Sequence, residues 1–321
     1  MTRQFEITTG ARLHFGLVSH APANNGGFGG AGLMIDSPGF QVIAEKNERD
    51  VVEGDEPFRA RAEEFVSRYR QYGTSNSPPP CRIRICRTIS PHCGLGSGTQ
   101  LGMAVARALS LLAGDDHCDA ESLGLRIGRG RRSAIGIHGF ARGGFLVDGG
   151  KAAAGQIGSL TARVDFPAAW RLLLVTPTDE IGLSGRAETD AFARLPGMSE
   201  STTNRLHGIV LTRLLPAVVE ADFDVCSKAL FDFGRAVGEY FAVIQGGTYA
   251  SPLMRGLVEQ LHQQGLQGVG QTSWGATIFV LTRDSNSAEE LAADLSTDSR
   301  WNRCRFHIAA PMNTGAVVTT T

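Results

Sequence analysis

The sequence predicts an α+β protein of two lobes, and three observations predict it. Period-two strand patterns and helical stripes interleave along the chain. A stretch of small residues, Ala152–Ser159, followed by Pro167, interrupts that pattern near the middle. The length, 321 residues, suffices for two packed lobes, because single cores stop growing near this size. The lobes are drawn at residues 1–165 and 166–321.

In the first lobe, Phe5–Leu17 alternates as a strand, with Ala11, Leu13 and Phe15 on one face and Arg12 and His14 on the other. An Asn- and Gly-rich loop, Ala21–Gly30, follows, then strands at Gly32–Asp36 and Phe40–Ala44. Phe58–Tyr72 reads as a surface helix ended by the Gly73–Pro80 loop. Cys81–Arg87 alternates again as a strand. A glycine-rich turn leads into a helix from about Gly98 to Ala113, whose stripe is Leu101, Val105, Ala108 and Leu112. Ala120–Ile127 is a short helix and Gly143–Asp148 a short strand.

The second lobe opens on a strand, Arg171–Thr176. Leu206, Ile209, Val210 and Leu214 mark a helix stopped or kinked at Pro216. A longer helix runs through Cys226, Leu230, Phe233, Val237, Phe241 and Ile244, capped by Asp222 or Asp224. A helix at Leu253–Gln264, strands at Gly268–Thr272 and Ala276–Thr282, a helix at Ser287–Leu295 and a strand at Arg303–Ile308 complete the pattern. The tail after Asn313 is expected to be loose.

Composition narrows the function classes. The net charge of −1 gives no bulk field to recruit nucleic acid. No apolar run reaches the ~20 residues a membrane span needs, and the N-terminus carries no apolar leader, so a cytoplasmic location is expected. The six cysteines form no C-x-x-C pair, which fits a reducing compartment and speaks against structural zinc or disulfides. Lys46, Lys151 and Lys228 are the lysines among 31 basic residues; arginine dominates, and its fork suits phosphate and carboxylate.

The most informative segment is Pro91-His92-Cys93-Gly94-Leu95-Gly96-Ser97-Gly98-Thr99-Gln100, between a strand and a helix. Glycines bring backbone N–H groups close to an anion, and the helix start adds unpaired donors and partial positive charge. The loop lacks the Gly-Lys-[Ser/Thr] of a P-loop and the spacing of a dinucleotide fingerprint. Taken alone, it could equally be a structural turn.

Pro91–Thr99 followed by an Ala/Leu helix resembles the second motif of the GHMP superfamily, and Gly268–Ala276 sits where that superfamily keeps its third. Further phrases, Ala11–Leu17, Gly94–Leu101, Arg131–Gly136, Gly143–Gly150, Gln245–Gly247 and Gly270–Gly275, together resemble the β-ribofuranosylaminobenzene 5′-phosphate synthases over residues 8–282. Ala134 and Ala276 depart from that pattern, which expects Gly and Pro. The resemblance implies a GHMP-kinase-like two-lobed fold, with an N-terminal ribosomal-protein-S5-like lobe and a C-terminal ferredoxin-like lobe. It also implies a decarboxylating C-ribosyl transfer in tetrahydromethanopterin biosynthesis. The substrates would be 5-phosphoribosyl 1-diphosphate and 4-aminobenzoate or 4-hydroxybenzoate, with Mg²⁺ on the diphosphate.

Within that implied chemistry, Gly94, Leu95, Gly96, Ser97, Gly98, Thr99 and Arg131 bind phosphate or diphosphate. Arg12, His14, Arg132 and Ser133 serve catalysis, with Arg12 and His14 holding the arene carboxylate or a phosphate. Trp274, Gln271 and Ser273 meet the arene. Asp148 and Ser97 are candidate metal ligands, although Asp148 could equally be a turn-maker; Lys151 is a further candidate cation. Cys93 is set aside, because the reaction needs no covalent nucleophile. The rival reading is an ATP-dependent GHMP-type kinase. Against it, Gly128–Ile137 carries arginines where such kinases carry an aspartate that handles the acceptor hydroxyl. The partners expected are small molecules, and the long apolar helix would also serve a homodimer contact.

Overall fold

A computed structural model describes residues 3–320 apart from 22–26, 74, 75, 152, 154, 181, 183 and 184. Parts of the loops read at 21–30 and 73–80, and of the stretch at 152–159, therefore lie outside the described residues.

The first lobe contains β1 (Gln4–Leu17), β2 (Gly30–Lys46), β3 (Val51–Glu53), α1 (Phe58–Tyr72), β4 (Cys81–Arg87), α2 (Ser97–Leu112), α3 (Ala120–Arg126), α4 (Ile135–Arg142), β5 (Phe145–Asp148) and β6 (Leu160–Val164). Among the described residues its sheet is seven-stranded, in the order β11 (Val317–Thr320)-β1-β2-β4-β3, with β5 on β2 and β6 on β5. The two strands read at 32–36 and 40–44 are one. β2 pairs with β5 through Gly30–Leu33 and with β4 through Gln41–Lys46, and β1 pairs with both parts, with a bulge at Asp36–Gly39 opposite Gly10. A change of partner together with this bulge interrupts the alternation.

Helix α2 is the pillar of this lobe. Every residue from Gln100 to Leu112 except Arg107 is buried, far more than one stripe, because α1, α3 and α4 surround it over the sheet. Its buried polar side chains are satisfied: Ser110 donates to the Asp115 carbonyl, and Gln100 bonds on both sides. It accepts from Thr9 Oγ1 at 2.8 Å and donates to the Gly136 carbonyl at 2.9 Å.

The second lobe contains β7 (Arg171–Pro177), α5 (Gly185–Arg194), α6 (Glu200–Ile209), α7 (Leu215–Val219), α8 (Phe223–Gln245), α9 (Pro252–Gln263), β8 (Val269–Gln271), β9 (Ile278–Thr282), α10 (Ser285–Thr297) and β10 (Cys304–Ala309). Its sheet is antiparallel in the order β10-β7-β9-β8, the order of a ferredoxin-like βαββαβ unit. Pro216 does not stop its helix. A π-turn at Val210–Leu214 widens the path ahead of it, and Pro216 sits in the first turn of α7, where its missing N–H costs nothing. Asp222 caps α8, accepting from Val225 N at 3.0 Å.

The tail after Asn313 is not loose. β11 (Val317–Thr320) returns to the first lobe and pairs antiparallel with β1 over Phe5–Thr8. Asn313 anchors the return: its side chain accepts from Phe166 N and donates to Phe166 O, each at 2.8 Å. The second sheet thus ends at Ala309, and the last strand belongs to the first sheet. Replacing Asn313 by Ala leaves both Phe166 groups without this partner. Asn313→Ala is expected to cost about 1–3 kcal/mol, read as a lower urea midpoint with an unchanged m-value.

Candidate active site

The site is assembled on one edge of β1. β11 covers that edge only as far as Thr8, so the backbone at Arg12 and His14 needs other partners. Arg12 N donates to Leu95 O of the glycine-rich loop at 3.0 Å. His14 N donates to Thr272 Oγ1, and His14 O accepts from Ser273 N, each at 3.0 Å. Thr272 Oγ1 in turn donates to Gly94 O at 3.0 Å. The loop before α2 and the turn between β8 and β9 therefore dock side by side on one strand. Their backbones touch: a Cβ on Gly275 would lie 2.2 Å from Gly94 Cα.

Between these parts lies a cleft of about 630 Å³. Arg12, His14, Gly94, Gly96, Ser97, Gly98, Thr99, Arg131, Arg132, Ser133, Gln271, Ser273 and Trp274 all line it, so most of the expected site residues share one cavity. Gly96 caps α2 in the left-handed region (φ 71°), and the place its side chain would take is filled by Arg12, whose Nε would lie 3.1 Å from that Cβ. Arg12 Nε and Nη1 are buried without a hydrogen-bond partner. Burial pulls the Arg12 pKa down to about 10, with Glu188 opposing the shift and Arg132 adding to it. A cation held this way is costly until an anion arrives.

Opposite, Arg132 forms a two-pronged pair with Glu188 of α5, at 2.7 and 2.9 Å. Its guanidinium also lies 5.0 Å over the Phe192 ring. Phe192 meets Trp274 edge-on at 5.4 Å, and Trp274 leans on Phe241 at 4.5 Å. These three rings form an aromatic wall beside the cations. Trp274 is thus part of a wall, not an isolated platform.

Several expected roles change on this geometry. The Asp148 carboxylate is buried and fully engaged: it accepts from Ser133 Oγ at 2.8 Å, Ala134 N at 2.9 Å and Gly150 N at 3.0 Å. It braces the start of α4 and does not fit a metal-ligand role. Ser133, its donor, also accepts from Ile135 N at 3.2 Å, so its hydroxyl is a helix-start brace rather than a catalytic group. Leu95 points into the core and contributes its carbonyl to β1. Gln271 is spent on the loop backbone, accepting from Ala250 N and donating to Ser273 O, each at 2.9 Å. Lys151 donates to the Arg131 carbonyl and is not part of the cleft lining. Cys93 is buried with its thiol on Ser90 O, and burial raises its pKa, the opposite of an activated nucleophile.

Sequence reasoning missed Glu188, Phe192, Phe241 and Arg129. Phe192 and Phe241 looked like ordinary apolar positions. Helix α5, which carries Glu188 and Phe192, is exposed apart from these two half-buried residues and the buried Ala191, so its stripe spans little more than one turn. Arg129 stood in the arginine-rich stretch but without a role.

The fold is that of the GHMP kinases, and residues 60–144 match the GHMP kinases N terminal domain. A homoserine kinase from Cytophaga hutchinsonii superposes over 98% of this chain and 97% of its own with a TM-score of 0.69 at 16% identity. Among curated proteins, the beta-ribofuranosylphenol 5'-phosphate synthase of Archaeoglobus fulgidus is 28% identical, covering 97% of this chain and 98% of that protein. The protein of the same name from Methanothermobacter thermautotrophicus is 28% identical over 88% of this chain and 90% of its own. The chain is similar to these synthases over most of its length and has a GHMP kinase fold.

Two tests follow from the geometry. Gly96→Ala forces a side chain into the left-handed region and against Arg12. It is expected to cost about 1–2 kcal/mol of stability and to weaken diphosphate binding, measured by calorimetry, at least about tenfold. The second concerns His14, whose pKa burial, then Arg12 and Arg132, hold well below the usual 6.5. The unfolded chain therefore binds a proton that the folded chain refuses, and His14 subtracts stability progressively as pH falls below 6.5. His14→Gln is expected to flatten that part of the stability–pH curve; a slope equal to wild type between pH 6.5 and 4.5 would reject the assignment.

Proposed function

We propose that this protein is a decarboxylating C-ribosyltransferase. It joins 5-phosphoribosyl 1-diphosphate to 4-hydroxybenzoate or 4-aminobenzoate, with release of CO₂ and diphosphate, in tetrahydromethanopterin biosynthesis. The observation that carries the reading is the buried Arg12, with two unused N–H donors at the start of α2 and an aromatic wall across the cleft. The named product of the relatives, a ribofuranosyl phenol 5'-phosphate, has the two parts such a cleft would hold.

The chemistry asks for anion binding and placement rather than a covalent nucleophile. The bond from ribose C1 to diphosphate breaks, and its electron pair leaves with the diphosphate. The ring carbon bearing the carboxylate, made electron-rich by the para oxygen or nitrogen, forms the new bond to C1. The ring–carboxylate bond then breaks, its electron pair restores the aromatic ring, and CO₂ departs. Arg12 and the backbone at Gly94–Ser97 would stabilise the departing diphosphate. The wall of Trp274, Phe192 and Phe241 would hold the arene against C1.

Magnesium enters this reading as a companion of the diphosphate, whose charge it would neutralise. Among the described residues no group of three or more His, Cys, Asp or Glu could cage a metal, and Asp148 is engaged elsewhere. Ser97, which lines the cleft at the loop, is the side chain that fits beside such a complex. The kinase alternative is less supported. Among the described residues, the carboxylates that line the cleft are Glu64 and Glu188, and both are paired with arginine. No helix of the described residues is long and apolar enough to cross a membrane, and a cytoplasmic place is part of the proposal.

Incubating the protein with Mg²⁺, phosphoribosyl diphosphate and carboxyl-labelled 4-hydroxybenzoate or 4-aminobenzoate should release labelled CO₂ together with diphosphate. Phosphorylation of a small alcohol from ATP without CO₂ would establish the kinase instead. Arg12→Met removes a buried, under-bonded charge. It is expected to lower turnover by about 10²–10³-fold while holding or raising the melting temperature. A variant that melts lower and still turns over would make Arg12 structural.

A further inference from the structure

Arg129 repeats the arrangement of Arg12 on the next glycine but one. A Cβ on Gly98 would lie 2.6 Å from Arg129 Nη2, as one on Gly96 would lie 3.1 Å from Arg12 Nε. Arg129 Nη2 donates to Gly98 O at 3.0 Å, while its Nε is buried without a partner. Two glycines in the first turn of α2 thus each leave room for one guanidinium, and each guanidinium keeps unused donors. The surroundings differ. Arg12 stands with Arg132 and the aromatic wall. Arg129 lies 5.1 Å over Phe65 of α1, and Arg61 of the same helix lies 5.3 Å from that ring. The cleft continues to this end, lined by Pro57, Phe58, Arg61, Glu64 and Arg129. Burial, followed by the charges of Arg61 and Arg68, pulls the Arg129 pKa down to about 10. Glu64 is the facing carboxylate, and it is shared between Arg61 at 3.2 Å and Arg68 at 2.5 Å.

We infer that Arg129, with Arg61, forms a second anion station in the same cleft and that it takes the phosphate monoester of the sugar, leaving the diphosphate to the Arg12 station. The inference rests on the proposed transfer reaction. The arene must meet C1, and the aromatic wall is at the Arg12 end. The diphosphate is bonded to C1 and so belongs at that end too. The 5-phosphate lies across the ribose and falls to the other end, where a free donor waits and the wall of α1 presents cations.

Calorimetry on the full chain separates the stations, with ribose 5-phosphate and inorganic diphosphate as individual probes. Arg129→Met is expected to weaken ribose 5-phosphate about 10–100-fold and diphosphate less than about threefold. Arg61→Met, an exposed change that spares the core, is expected to weaken ribose 5-phosphate about 3–10-fold. It decides the question if Arg129→Met does not fold. Wild type that binds both probes, with variants that lose diphosphate instead or lose neither, would overturn the station assignment and leave the transferase reading standing. Wild type that binds neither probe would sink both.

Discussion

The uncovered edge of β1 between Arg12 and His14 is the constraint from which the site follows. A buried strand edge must satisfy its backbone groups, and here no neighbouring strand does so. The loop before α2 supplies Leu95 O, and the turn between β8 and β9 supplies Thr272 Oγ1 and Ser273 N. Three hydrogen bonds therefore bring together the helix start, two side chains of the strand and a turn of the other lobe. The close approach of Gly94 and Gly275 is their steric consequence, since any side chain on Gly275 would strike the loop backbone. The loop and the turn that line the cleft are placed by backbone hydrogen bonds and the Thr272 hydroxyl, which changes in the cleft's charged side chains leave intact.

That economy explains how the fold tolerates its charges. Arg12 and Arg129 are half-buried with buried N–H donors left unused, and among the described residues neither pairs with a carboxylate. Each is a net cost to the folded chain, offset by the packed core around α2, where nearly every residue is buried. Arg132 shows the contrasting solution, a two-pronged pair with Glu188 at 2.7 and 2.9 Å. Arg132 Nη1 makes no hydrogen bond of its own, so the contrast is one of charge pairing: the cleft holds cations with and without a carboxylate beside them. An anionic ligand gains most at the cations without a carboxylate, because it displaces no partner there.

Much of this was legible in the sequence where periodicity and glycine chemistry speak. The strand at Phe5–Leu17, the pillar helix after Gly98 and the long helix through Phe233 follow from spacing alone, and the loop at Gly94–Thr99 from its glycines. What stayed hidden depends on contacts distant in the chain. Asp148 and Ser133 read as polar groups available for chemistry, but they bond each other and the start of α4 across fifteen residues. β11 carries no burial signal, being exposed along its length, yet it is held by the register of β1 and the Asn313 clamp. Glu188 sits on an exposed helix whose importance lies in what it faces. Arg12, His14, Arg131 and Arg132 do line one cleft, and which of the cleft's side chains keep unused donors is what sequence could not reveal.

The same reasoning separates this cleft from a nucleotide kinase built on the same fold. A kinase must hold a phosphate chain and also present a carboxylate to an acceptor hydroxyl. Here the stretch after the loop supplies Arg129, Arg131 and Arg132, and among the described residues the carboxylates that line the cleft, Glu64 and Glu188, are each paired with arginine. Cations on both sides of one helix start, with rings at one end, make an environment for a sugar carrying phosphate groups and a flat partner. The fold is shared; the sign of the charge on the Gly128–Ile137 segment is what redirects it, because a guanidinium can stabilise a leaving anion but cannot take a proton from an alcohol.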